Sequence, residues 1–99
     1  MTKNHVESIF PKLKGIMPLL KEKYKIKTLQ VFGSYIRGKQ KKGSDLDILV
    51  EFSRTIDLFT FIELEDFLSK NLGIKVDLVM KDTLKPRIKD RILKEAVPI

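Results

Sequence analysis

The chain has 99 residues, no cysteine and a formal net charge of +7 at pH 7. This length fits one small domain, residues 1–99, and the lack of cysteine excludes a disulfide framework and a thiolate-bound metal. The sequence has no signal peptide and no apolar run near the roughly 20 residues that span a bilayer, so we expect a cytoplasmic protein that contacts no membrane. Its positive charge favours an anionic partner.

The first half of the chain predicts one helix and two strands. Residues 6–24 have mostly helical apolar spacing, but Pro11 and Pro18 interrupt it, so we predict a kinked or divided helix. Short apolar strands are predicted at Thr28–Phe32 and Leu46–Phe52.

The second half predicts a helix, a strand and a last helix. Asp57 is a plausible N-cap for a helix running to about Asn71, followed by a strand at Lys75–Met80 and a helix beginning at Pro86. Apolar residues share one face of the first of these helices, namely Leu58, Phe61, Ile62, Leu68 and Leu72. The fold class is therefore α/β or α+β, with a small mixed sheet of three to four strands flanked by helices.

A turn between the first two strands has the composition of a phosphate site. Gly33 ends the first predicted strand, which lets the backbone turn sharply and approach a ligand closely. Ser34 to Arg37 could begin a helix, and Ser34 supplies a hydroxyl beside backbone N–H groups that favour phosphate. Arg37 could offset phosphate charge through its planar guanidinium group. We therefore predict Gly33, Ser34 and Arg37 as phosphate-binding residues.

Three aspartates form the candidate catalytic and metal site. Asp45 and Asp47 project from the same side of the second strand, because side chains repeat every two positions. Asp77 lies within the third predicted strand, which is otherwise apolar. We expect this strand to be central, where burying an unpaired carboxylate would be costly. A salt bridge from Asp77 to a lysine is the competing interpretation. If the two strands are neighbours, the three carboxylates form one cluster.

Such a cluster beside a phosphate turn points to two-metal phosphoryl or nucleotidyl transfer. Oxygen ligands suit Mg²⁺, which binds one or two protein carboxylates together with substrate phosphates. We predict that Asp45 and Asp47 hold two Mg²⁺ ions, and that Asp77 binds the second ion and helps to deprotonate the attacking hydroxyl.

Other features carry less information. The basic loop at residues 39–43 could attract a nucleotide or an acidic partner, although a solvated loop is the simpler interpretation. His5 is the only histidine, so a zinc site is not expected. Phe59 and Phe67 lie off the main apolar face of their helix, where they form either a docking patch or core packing at its edge.

The segment Val31–Gly38 followed by Gly43–Val50 resembles the minimal nucleotidyltransferases of the DNA polymerase β-like superfamily. The third strand and the last segment, Leu84–Val97, are similar to the third acidic element and the final helix of that family. One departure is Ile36, where the family usually has a small residue, which could tighten the turn. The resemblance implies a polymerase β-like fold in which Gly33 and Ser34 contact phosphates and the three aspartates bind Mg²⁺.

The resemblance also implies a biological role. Such proteins are commonly the antitoxins of HEPN-domain ribonuclease toxins, and they transfer AMP from ATP to a toxin tyrosine, which silences it. The expected partners are thus ATP and a HEPN toxin in a hetero-oligomer, without direct nucleic-acid binding. Two alternatives stay open: an antitoxin that acts by binding alone, and a nucleotidyltransferase with a small-molecule or RNA acceptor.

Overall fold

The computed structural model describes residues 5–41 and 43–99, and its description of side chains begins at Ser8. Helices and strands alternate along these residues, which confirms the predicted α/β class. In chain order they are α1 (His5–Lys23), β1 (Ile26–Phe32), α2 (Ser34–Arg37), β2 (Leu46–Phe52), α3 (Leu58–Leu72), β3 (Val76–Met80), a 3₁₀ helix (Lys81–Thr83), α4 (Pro86–Glu95) and β4 (Val97–Pro98).

The strands form one mixed sheet in the order β3-β2-β1-β4, which confirms the predicted small mixed sheet. β1 pairs antiparallel with both β2 and β4, whereas β2 and β3 are parallel. A parallel pair needs a long crossover connection, and α3 supplies it. β4 has only two residues, too few for a strand to be predicted from the sequence.

The first helix is not divided, although both prolines lie inside it. Pro11 and Pro18 are seven residues apart and exposed, so both lie on the solvent side of the helix. Each proline removes one backbone hydrogen bond, and on this side water can satisfy the freed carbonyl groups. The buried side chains of Leu13 and Leu20 hold the opposite side of the helix against the sheet.

One apolar cluster joins α1 and α3 to one face of the sheet. Its strand members in β2 are Leu46, Ile48 and Val50, all essentially fully buried. Because side chains alternate along a strand, Asp47 projects from the opposite face of the sheet. The packing of the core therefore fixes which face carries the carboxylates.

The predicted apolar face of α3 is only partly correct. Leu68 and Leu72 are buried, but Leu58 and Ile62 are 67% and 51% exposed. These two residues belong to the first turns of α3, before the helix reaches the core that Leu64 begins to fill. The predicted N-cap is confirmed, because the Asp57 carboxylate accepts a hydrogen bond from the Thr60 N–H at 2.7 Å.

β3 is an edge strand, so the expectation that Asp77 lies in a central strand is wrong. Its outer N–H groups are nevertheless satisfied by side chains of α3. Glu65 accepts from the backbone N–H of Leu78, and Ser69 accepts from that of Val76, both at 2.9 Å.

Among the residues that the structure describes, no helix is long and apolar enough to cross a membrane.

Candidate active site

The sheet brings two of the three predicted aspartates side by side. Asp47 in β2 and Asp77 in β3 occupy paired positions of the parallel ladder, so their side chains leave the same face of the sheet. Asp45 lies one residue before β2 begins. Asp77 is exposed rather than buried, and among residues 5–41 and 43–99 it forms no salt bridge. The lysine-paired interpretation of Asp77 therefore has no support in the described part of the chain.

The pKa of Asp47 is shifted. Its pKa is raised from 3.8 to about 6, first by partial burial and then by repulsion from Asp77 and Asp45. Arg37 opposes this shift only partly. An excess of negative charge therefore accumulates around Asp47, and a bound cation would relieve it.

We expect Asp47→Asn to stabilise the metal-free protein at pH 7.5. The unfolded chain loses the Asp47 proton near pH 4, whereas the folded protein keeps it to about pH 6. The free energy of unfolding of the unsubstituted protein thus falls as pH rises from about 4 to about 6. After discounting for solvent screening of a half-exposed carboxylate, the gain from the substitution above pH 6 is about 1 kcal/mol.

Thermal unfolding in EDTA at pH 4 and pH 7.5 tests this expectation. The melting temperature of Asp47→Asn should exceed that of the unsubstituted protein by about 5 °C at pH 7.5, and the difference should disappear at pH 4. An equal difference at both pH values would show that ionisation of Asp47 is not its cause.

The turn after β1 depends on Gly33. This residue has φ 87° and ψ −155°, a conformation that is essentially restricted to glycine. A Cβ atom at this position would lie 2.1 Å from Oδ2 of Asp47. The turn and the carboxylate are therefore in direct contact, and any larger residue at position 33 would displace Asp47.

The residues after Gly33 form the short helix α2. The backbone N–H groups of Ile36 and Arg37 donate to the Gly33 carbonyl oxygen at 3.0 and 3.1 Å. The Ser34 hydroxyl is half-buried and, within the described residues, has no hydrogen-bond partner. The larger side chain of Ile36 packs against the hydrophobic core, so its bulk is accommodated on the core side. The phosphate-binding roles of Gly33 and Ser34 stay predictions.

A fourth carboxylate, Glu95, reaches the same turn from the end of α4. Its Oε2 accepts a hydrogen bond from the Gly33 N–H at 2.8 Å. Nη1 of Arg37 donates to Oε1 and Oε2 of Glu95 at 3.0 and 2.9 Å. Sequence reasoning missed Glu95, because nothing in a glutamate at the end of an amphipathic helix indicates a contact 62 residues away along the chain.

These residues border an open cleft of about 390 Å³ between the turn and α4. One wall carries Asp47 and the polar groups of the turn, and the opposite wall is the inner side of α4. The lining consists of Phe32, Gly33, Arg37, Asp47, Ile88, Arg91, Ile92 and Glu95. A cleft with an apolar wall, two arginines and two carboxylates that can hold a cation suits a phosphorylated organic molecule.

The family model described as a nucleotidyltransferase domain matches residues 13–99 of the chain. The chain belongs to this family. It is 44% identical over 97 residues to the protein adenylyltransferase MntA of Thermococcus cleftensis, and the match covers 98% of this chain and 95% of that protein.

Two solved structures resemble this nucleotidyltransferase. A candidate minimal nucleotidyltransferase is 32% identical with a TM-score of 0.80, and the match covers 94% of each chain. A chain from a toxin–antitoxin structure with AMP-PNP is 27% identical with a TM-score of 0.68, covering 93% of this chain and 69% of that one. The resemblance to the minimal nucleotidyltransferases is thus confirmed, as is the predicted fold.

The carboxylates of this nucleotidyltransferase suit Mg²⁺, although no three ligating side chains among the described residues are arranged to hold an ion. Mg²⁺ commonly binds one or two protein carboxylates and completes its shell with water and substrate phosphates. Asp47 and Asp77 provide such a pair; partial burial and, after it, the charges of Asp77 and Asp45 raise the pKa of Asp47, and a cation would neutralise that charge. The assignment of two ions to Asp45, Asp47 and Asp77 stays a prediction.

The remaining candidate residues have separate outcomes. Lys39 and Lys41 of the basic loop are exposed, and Lys42 lies outside the described residues, as does the side chain of His5. Phe67 packs against the core with its ring 5.9 Å from that of Tyr24, so core packing is its role. Phe59 is 82% exposed, which keeps the docking interpretation open for this residue.

Proposed function

We propose that this nucleotidyltransferase is an antitoxin that transfers AMP from ATP to a tyrosine hydroxyl of a HEPN ribonuclease toxin. The observation that carries this proposal is the pairing of Asp47 with Asp77 on the face of the sheet that borders the Gly33 turn. The name of the Thermococcus relative, a protein adenylyltransferase, supports a protein as the acceptor. A cytoplasmic location is part of this proposal.

In this proposal Asp45, Asp47 and Asp77 would hold Mg²⁺, which would supply charge neutralisation at the phosphates and activation of the attacking oxygen. Gly33, Ser34 and Arg37 orient the β and γ phosphates through N–H, hydroxyl and guanidinium donors. Asp77 accepts the proton of the tyrosine hydroxyl while the tyrosine oxygen forms a bond to the α phosphorus of ATP. The bond from that phosphorus to the bridging oxygen breaks, and pyrophosphate leaves.

The toxin partner has two lines of support. A structural relative was solved as a toxin–antitoxin pair with AMP-PNP, an ATP analogue. The described chain is also a single small unit built around the one sheet, so a folded acceptor would have to present its own tyrosine to the cleft. The charge of +7 suits both ATP and an acidic protein surface.

The proposal is tested by incubating this protein with α-³²P-ATP, Mg²⁺ and the protein encoded by the neighbouring gene, and by measuring transfer of the label to that protein. We expect the label on a tyrosine of that protein, loss of the signal in EDTA, and loss of the partner's ribonuclease activity in proportion to labelling. Label on RNA or on a small molecule would support the other acceptor classes. Protection of RNA without any label would instead indicate an antitoxin that acts by binding alone.

A further inference from the structure

Glu95 makes a contact that the proposed chemistry does not use. Its carboxylate lies against the Gly33 N–H and the Arg37 guanidinium group, at 2.8 to 3.0 Å. The side chain of Glu95 is 26% exposed and that of Arg37 is 52% exposed, so the ion pair is partly solvated, whereas Gly33, whose N–H also donates to Glu95, is buried. Both donors are groups that the proposed function assigns to the phosphates of ATP.

The two donors form one anion-binding position, which the Glu95 carboxylate occupies. Hydrogen bonds between charged groups are roughly twice as strong as neutral ones, and a carboxylate and a phosphate accept them from the same donors. The single N–H of Gly33 can serve only one such anion at a time. A triphosphate bound here must therefore move the Glu95 side chain away.

Electrostatics add to this competition. Besides Arg37 and Glu95, the cleft is lined by Arg91 and by Asp47, which feels the charges of Asp45 and Asp77. With Arg37 paired to Glu95, the position has no net positive charge to offer a phosphate. Removing the carboxylate charge of Glu95 frees Arg37 for the incoming anion.

We propose that Glu95 sets the nucleotide affinity of this site by competing with the triphosphate for the Gly33 N–H and for Arg37. The inference rests on the proposed function, because it needs the triphosphate to bind at this turn. Glu95 is not assigned a part in bond making. It is a residue at the end of α4 whose charge opposes substrate binding and whose contact links α4 to the turn after β1.

A purely structural role for Glu95 predicts the opposite result. If the contact only anchored α4, its loss would loosen the cleft and weaken nucleotide binding. Competition predicts that binding becomes tighter while the protein becomes less stable. Loss of the contact lowers stability under both explanations, so the direction of the change in nucleotide affinity separates them.

The test compares Glu95→Gln with the unsubstituted protein by titration calorimetry with Mg²⁺-ATP, inorganic tripolyphosphate and adenosine. Glutamine has the same shape but no charge. We expect ATP and tripolyphosphate to bind about five-fold more tightly, the effect of removing a partly exposed ion pair. Adenosine, which has no phosphate, should bind equally to both proteins, and the melting temperature of the variant should be lower. Glu63→Gln, in an exposed part of α3, is the matched control and should change none of these values.

Each outcome separates the two proposals. Equal or weaker binding of ATP by a folded Glu95→Gln protein overturns the competition, while ATP binding by the unsubstituted protein leaves the proposed function in place. If neither protein binds ATP or tripolyphosphate, the proposed function fails and the inference fails with it. Should the variant not fold, the side-chain carboxylate resonance of Glu95 in the unsubstituted protein must shift on addition of tripolyphosphate, and an unchanged resonance overturns the inference.

Discussion

We expect Asp47→Asn and Asp77→Asn each to reduce transfer of AMP at least about 10²-fold, the usual loss for one electrostatic stabiliser of a transition state. Asparagine retains the shape of aspartate but removes the charge that would hold Mg²⁺. The paired positions of Asp47 and Asp77 in the β2–β3 ladder mean that neither carboxylate can replace the other without a change of register. The rate of label transfer to the partner under saturating Mg²⁺-ATP measures the loss.

Asp66→Asn is the matched control for this pair. Asp66 is an exposed residue of α3 whose carboxylate pairs with Lys70 four residues later at 3.0 Å, a surface contact of little energetic weight. Its substitution should leave transfer unchanged. Because Asp47→Asn is also expected to raise the melting temperature without metal, its loss of activity could not be attributed to unfolding. Full transfer by either active-site variant would remove that aspartate from the proposed site.

Gly33→Ala should both destabilise the protein and reduce transfer at least about 10²-fold. The backbone conformation at position 33 costs a non-glycine residue about 1–3 kcal/mol. In addition, the new methyl group would lie 2.1 Å from Oδ2 of Asp47, so either the turn or the carboxylate must move. A cost of about 2 kcal/mol corresponds to a decrease of about 10 °C in melting temperature for a domain of this size.

Gly73→Ala separates backbone strain from the clash. Gly73 also has a positive φ, 70°, but a Cβ atom there meets nothing within 4 Å. This control should lower the melting temperature while transfer stays normal. If Gly33→Ala transfers AMP as well as Gly73→Ala does, the contact between the turn and Asp47 has no part in activity.

The sequence predicted those features that depend on residues close together in the chain. The N-cap at Asp57, the strand around Ile48 and the alternation that places Asp47 away from the core are all local patterns. The juxtaposition of Asp47 with Asp77 could be proposed because both strands were recognisable and the family resemblance paired them.

Features that depend on tertiary contacts were missed or misjudged. Glu95 reaches Gly33 only because β4 returns to pair with β1 and brings the end of α4 to the turn. Leu58 and Ile62 follow the helical period of a buried face, but the core ends before it reaches them. Pro11 and Pro18 predicted a kinked or divided helix. Their common exposed side, which only the packing reveals, explains why the helix is not divided.

The way in which α3 covers β3 has a consequence for aggregation. An uncovered edge strand invites pairing with a strand of another molecule. Here the side chains of Glu65 and Ser69 already accept the outward N–H groups of Leu78 and Val76, which leaves these donors unavailable to an added strand. The edge strand that carries Asp77 is thus protected against polymerisation by two side chains, while Asp77 itself stays exposed. A variant such as Glu65→Ala would expose this edge, and self-association would then be the failure to look for first.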